Sequence, residues 1–106
     1  MGVTFINLFQ VADGRDTEFL ALWQRVNDYL RAKPGYVEEK LHRAVLPDAR
    51  YRYANIAIWA SQEAWQAAHD SGFRTLLADP AFAEFEPLPT LYELVRADSS
   101  TEFARP

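Results

Sequence analysis

The order of hydrophobic patterns along this chain predicts an α+β fold. The arrangement is βαββαβ, the ferredoxin-like one, with a four-stranded antiparallel sheet covered on one face by two helices. Three observations carry the prediction. Four short stretches rich in β-branched and aromatic residues are each bounded by turn residues. Two intervening stretches repeat apolar residues at helical spacing. The second and third strand-like stretches are joined by the short turn LPDAR, which makes them an antiparallel hairpin.

Residues 3–11, VTFINLFQV, read as the first strand, apolar on both faces apart from Asn7 and Gln10, and the turn signal ADGRD ends it. A strand apolar on two faces is covered on two sides. A helix follows over about 16–32, with Asp16 as N-cap, Glu18 in its first turn, and Arg31 and Lys33 in its last. Phe19, Trp23, Val26 and Leu30 form its apolar stripe, read as core first and pocket wall second. KPGY ends the helix. In 36–45, YVEEKLHRAV, the residues Val37, Leu41 and Val45 fall on one side, and Glu38, Lys40 and His42 on the other; the 38–40 charge run reads as a solvated face. Residues 51–60, YRYANIAIWA, form the central strand. Ser61 caps a second helix that runs to about residue 70, breaks near Gly72 and resumes through FRTLLAD. Pro80, Pro87 and Pro89 punctuate a loop, and TLYELVR, 90–96, is the fourth strand. One domain is therefore expected over 1–97, with a polar tail over 98–106.

Bulk properties narrow the function. A net charge of −4 argues against polyanions such as nucleic acid as partners. With no cysteine, disulfides, thiolate catalysis and zinc–thiolate sites are excluded. No apolar run approaches a membrane span, and the N-terminal stretch lacks the features of a signal peptide, so a cytoplasmic protein is expected. The first and third strands leave Ile6, Leu8, Ile56 and Ile58 facing away from the helices. An uncovered patch of that kind is a partner site, and a homodimer that stacks two sheets into one closed barrel would cover it.

The least expected residue is Asn55, inside the most hydrophobic strand. Alternation places Tyr51, Tyr53, Asn55, Ala57 and Trp59 on one face, with Asn55 and Trp59 roughly 13 Å apart along an extended strand. Either Asn55 donates a hydrogen bond into a cleft, or it satisfies a neighbouring backbone group.

Asn7 on the first strand, KPGYV after the first helix, NIAIW on the third strand and SQEAW…AAHDSGFR on the second helix together resemble the antibiotic biosynthesis monooxygenase family over residues 3–96. The resemblance implies dimeric α+β barrels with a pocket between sheet and helices. In the branch that oxidises polycyclic phenols to quinones without a cofactor, an asparagine and a tryptophan lie four residues apart on the third strand, matched by Asn55 and Trp59. That branch carries a tyrosine where this chain has Trp65, and a histidine on the second strand where it has His42. His69, one turn after Trp65 on the same helical face, is the candidate replacement base. Asn7, Trp23, His42 and Arg74 are candidate substrate-binding residues, Arg74 alternatively pairing with Glu84 or Asp79 on the surface. A haem-cleaving branch is matched at Asn7, but Ala68 and Leu76 or Leu77 occupy the places of its helix-2 tryptophan and axial histidine.

The expected function is thus a cofactor-independent monooxygenase that uses dioxygen as co-substrate to oxidise a hydrophobic cyclic phenol, anthrone or quinol. No metal is called for. The alternatives are a barrel that only binds an apolar small molecule or serves as an interaction module, and a haem-binding or haem-degrading protein.

Overall fold

The computed structural model describes residues 2–100. Its elements run β1 (Val3–Phe9), α1 (Asp16–Leu30), β2 (Tyr36–Arg43), β3 (Tyr53–Trp59), α2 (Gln62–Ala68), α3 (Ser71–Leu77), a 3-10 turn (Pro80–Glu84) and β4 (Pro87–Tyr92). The strands form one sheet in the order β2-β3-β1-β4, each neighbouring pair antiparallel. This is the ferredoxin-like α+β arrangement expected from the pattern of elements.

Several boundaries differ from the sequence expectation, each for a local reason. Asp16 is the first helical residue rather than the cap, because its carboxylate accepts from Tyr53 Oη at 2.5 Å and Arg52 Nε at 2.8 Å. Ser61 does cap α2, its Oγ accepting from the Ala64 amide at 3.0 Å. The break after α2 falls at His69–Asp70, ahead of Gly72, because Asp70 caps a new helix through the Phe73 amide at 2.9 Å. The same carboxylate accepts from Tyr29 Oη at 2.5 Å and Lys33 Nζ at 2.9 Å, which ties α1 to the α2–α3 corner. β4 begins three residues before its expected start, and Pro87 and Pro89 lie inside it, opposite Phe9 and Asn7. As an edge strand it tolerates residues that donate no ladder bond. Of the expected tail, 98–100 carry no regular structure and 101–106 lie outside the described residues.

The helix-covered face of the sheet holds two apolar clusters. One joins Phe5, Ala57 and Trp59 of the sheet to Leu30 of α1 and Ala68 of α2. The other joins Tyr53 to Val11, Phe19 of α1 and Phe85. Both lie along β3, whose Tyr53, Asn55, Ala57 and Trp59 are all buried while the residues between them are half-buried. Ile6, Leu8, Ile56 and Ile58 occupy the opposite face, next to exposed Leu88 and Tyr92 of β4.

At one end the chain passes α2 very closely. Gly35 has φ +88°, and a Cβ there would lie 2.4 Å from the Ala64 Cβ. Only glycine supplies both the left-handed backbone and the missing atom.

Candidate active site

Between the two apolar clusters runs a polar seam. The sheet registers place Leu41, Asn55, Asn7 and Pro89 in one row across β2, β3, β1 and β4. The row lies between Tyr53 of one cluster and Ala57 of the other, each two residues from Asn55, or about 7 Å along the strand. Trp23 of α1 packs against the Tyr53 cluster and Trp65 of α2 against the Phe5 cluster. Each flanking cluster is thus covered by one indole.

Asn55 is 3% exposed and makes its hydrogen bond to a side chain, not to the backbone. Its Nδ2 donates to Glu39 Oε1 at 2.5 Å. Glu39 thus points into the helix-covered layer, which corrects the reading of 38–40 as a solvated run. The reason is strand parity. Glu39 sits opposite Ala57 and shares its face with Leu41, whereas Glu38, Lys40 and His42 take the other. An irregularity in the register between Tyr36 and Glu38 turns Val37 outward to 56% exposure. With Val37 facing solvent, Leu41 gives the true parity. The signal was in the sequence, in the two-residue step from Leu41 to Glu39, but an acidic run reads as surface unless that step is followed.

The electrostatics of the seam are unusual for a core. Among the described residues, five buried side-chain atoms have no hydrogen-bond partner: the acceptors Asn7 Oδ1, Glu39 Oε2 and Asn55 Oδ1, and the donors Trp23 Nε1 and Trp65 Nε1. Buried polar atoms are nearly always paired, because each unpaired one costs roughly 1–3 kcal/mol. Five in one layer, contributed one apiece by β1, β2, β3, α1 and α2, form a set of groups suited to a ligand carrying both hydroxyl and carbonyl functions. Burial pushes the Glu39 carboxyl above the usual glutamate range, and the Asn55 N–H only partly offsets this.

The other predicted residues are distributed unevenly. His69 closes α2 with its ring tilted against Trp65 at 4.5 Å, and it meets Phe73 edge-on at 4.6 Å and Phe5 edge-on at 6.2 Å. Its Nδ1 lies 2.6 Å from the Trp65 carbonyl oxygen, so that ring nitrogen is engaged locally. Trp59 shares a face with Asn55 but is 1% exposed and packs edge-on against Tyr36 at 5.5 Å, at the far end of the first cluster. His42 is exposed on the sheet face away from the helices, its Nδ1 3.2 Å from the Lys40 carbonyl oxygen. Arg74 is exposed and donates to the His69 carbonyl at 3.1 Å, bracing the α2–α3 corner; the carboxylates of Glu84 and Asp79 are taken instead by Arg15 and Arg25. The structure therefore pairs Asn55 with the unforeseen Glu39 and sets Asn7 opposite Asn55, while Trp23 and Trp65 lie over the same face against the two flanking clusters, with His69 beside Trp65. It leaves His42 and Arg74 outside.

Two open grooves lie elsewhere. One of about 430 Å³ is lined by Asp13, Arg43 and Arg52 with the β2–β3 turn, and one of about 270 Å³ by Gln10, Tyr51 and the residues leading into β4. Among the described residues no helix is long and apolar enough to cross a membrane, and no cluster of three or more metal-ligating side chains occurs.

Comparison with known proteins bears on the family and the fold. A comparison with curated proteins finds no match. Among solved structures, the chain is similar to a candidate monooxygenase from Shewanella loihica PV-4, with 28% identity, a TM-score of 0.79, and 91% of this chain and 96% of that one covered. It is similar to SnoaB, a cofactor-independent oxygenase from Streptomyces nogalater, with 29% identity, a TM-score of 0.75, and 91% and 95% covered. A dimeric ferredoxin-like protein from Thermobifida fusca YX shares the fold at 19% identity and a TM-score of 0.68, with 89% and 92% covered. The antibiotic biosynthesis monooxygenase family model matches residues 2–86, so the chain belongs to that family.

Proposed function

We propose that this protein is a cofactor-independent monooxygenase that oxidises a hydrophobic cyclic phenol, anthrone or quinol to a quinone with dioxygen. The observation that carries the reading is the seam of buried, unpartnered acceptors and donors between two aromatic clusters. SnoaB, similar over most of the chain, lends support by being a cofactor-independent oxygenase.

Dioxygen is a triplet and reacts slowly with a neutral closed-shell phenol. A phenolate or its carbanion tautomer is electron-rich enough to pass one electron to oxygen, and the radical pair then combines to a peroxide. Loss of water from that peroxide leaves a carbonyl. Converting a ring CH2 to C=O consumes one O2 and releases one H2O, so the substrate itself supplies all the electrons. The protein's tasks are to hold the ring in a dry layer, accept a proton and stabilise the oxyanion. Trp23 and Trp65 present N–H donors for a carbonyl or oxyanion; Asn7 and Asn55 present acceptors for hydroxyl groups. The half-exposed Ile6, Leu8, Ile56 and Ile58 face belongs in a homodimer interface, as the dimeric ferredoxin-like neighbour supports.

The test is oxygen uptake against a panel of phenols, anthrones and quinols, with and without chelator. Uptake that resists chelator and falls by about 10²-fold or more in Asn55→Ala is expected, since that change removes both a substrate acceptor and the partner of Glu39. Binding without turnover across the panel would favour a ligand carrier instead.

A further inference from the structure

Glu39 is half-buried as a residue, yet its Oε2 is buried in the seam. Of the five side chains only Glu39 carries a carboxyl group. An isolated carboxylate is expensive to bury, and buried charges are normally paired with an opposite one. Among the described residues no such partner faces Glu39. From β3 it meets the neutral Asn55. From its own strand it meets the Tyr36 phenol, whose hydroxyl is committed to Asn27 of α1 at 3.1 Å. Arg43, four residues on along the same face, acts instead on Tyr53. The helices over this face carry the neutral indoles of Trp23 and Trp65, with the His69 ring tilted against the latter.

The carboxylate is nonetheless well oriented. Asn55 Nδ2 fixes Oε1 at 2.5 Å, which leaves Oε2 buried, unpartnered and available to a ligand. We propose that Glu39 is the general base of this site: Oε2 takes the hydroxyl proton of a bound phenol or enol, while Asn55 positions the carboxylate. This rests on the monooxygenase reading above and deepens it by naming the proton acceptor and restricting the substrate to compounds with an acidic hydroxyl.

The charge balance favours the step. Proton transfer converts a carboxylate and a phenol into a carboxylic acid and a phenolate, so the seam holds one negative charge before and after. That charge moves from two oxygen atoms onto a delocalised ring system within reach of indole donors. The resulting Glu39 carboxylic acid can return its proton to the peroxide formed with oxygen, which resets the base. Burial also raises the proton affinity of Glu39 towards that of the hydroxyl it must deprotonate, the direction a general base requires. His69 is less well placed, since its Nδ1 is already engaged with the Trp65 carbonyl.

Two measurements on the full chain test this. The first uses a hydroxyanthraquinone dye, inert to oxygen, whose absorption moves to longer wavelength on ionisation. Dye and Glu39 share one proton, so the dye bound to wild-type protein should reach full ionisation only at a higher pH than the dye bound to Glu39→Gln, where the neighbouring negative charge is absent. The glutamine can still accept from Asn55, so the fold is preserved. The second is oxygen uptake, in which Glu39→Gln should lose about 10²–10⁴-fold in kcat and Glu39→Asp should recover part of it. Equal dye ionisation in wild type and Glu39→Gln, or an acid limb of kcat/KM that moves with His69→Gln and not with Glu39→Gln, overturns the assignment. A wild-type protein in which Glu39 displaces the dye titration yet which never consumes oxygen overturns the oxygenase reading and leaves the base assignment standing. One that neither binds the dye nor consumes oxygen overturns both.

Discussion

Replacing Gly35 by alanine isolates how tightly the turn before β2 is clamped to α2. Two costs add. The backbone at φ +88° is left-handed, which disfavours a residue with a Cβ by roughly 1–2 kcal/mol. The new Cβ would also sit 2.4 Å from the Ala64 Cβ, a distance no pair of methyl carbons tolerates, so α2 or the turn must move. Overpacking of that kind costs about 1–3 kcal/mol. The expected loss is therefore about 2–5 kcal/mol, a large share of the roughly 5–15 kcal/mol that holds a domain together. Gly14 provides the internal control: its φ is +83°, but nothing lies within 4 Å of the Cβ it would gain. Gly14→Ala should then show only the conformational cost, about 1–2 kcal/mol. Urea unfolding followed by tryptophan fluorescence measures both, with slopes of about 1–3 kcal/mol/M setting the midpoint shifts. Equal losses for the two variants would refute the argument, because the steric part would then be absent. Ala64 precedes Trp65, so the shift in α2 should also lower dye affinity at the seam in Gly35→Ala and leave it unchanged in Gly14→Ala.

Two further outcomes follow from charge. The Tyr29 hydroxyl, then Lys33 and the Phe73 amide, hold the Asp70 carboxyl far below the usual aspartate range. Its stabilising contribution is therefore complete above the unfolded aspartate value and is lost as pH falls below it. Asp70→Asn should flatten the acid side of the stability profile below about pH 4, read from thermal melts across pH. Glu39 has the opposite sign. Its folded proton affinity is raised, so the stability it contributes is complete below about pH 4.3 and is lost as pH rises through its elevated value. Glu39→Gln should accordingly gain melting temperature relative to wild type as pH rises towards neutrality; a variant that melts lower at every pH would show that the carboxylate is stabilising as an ion.

The oddity of Asn55 inside an apolar strand was legible in the chain, and so was the face it shares with Tyr53, Ala57 and Trp59, because a period of two fixes both. The order of elements and the helical stripe through Phe19, Trp23, Val26 and Leu30 were likewise local patterns, enough to specify a four-stranded sheet with helices on one side. Where β4 begins was not legible, since prolines read as loop until it is known that their strand lies at an edge. Glu39 was hidden for a related reason. A carboxylate flanked by Glu38 and Lys40 carries no local sign of burial; its environment is made by Asn55 across the strand pair and by indoles delivered from two helices distant in sequence. The chain alone determined which side chains lie on the same face of each element. The tertiary structure decided which of those faces meet, and only that meeting turns an acidic residue and an asparagine sixteen positions apart into one hydrogen-bonded pair.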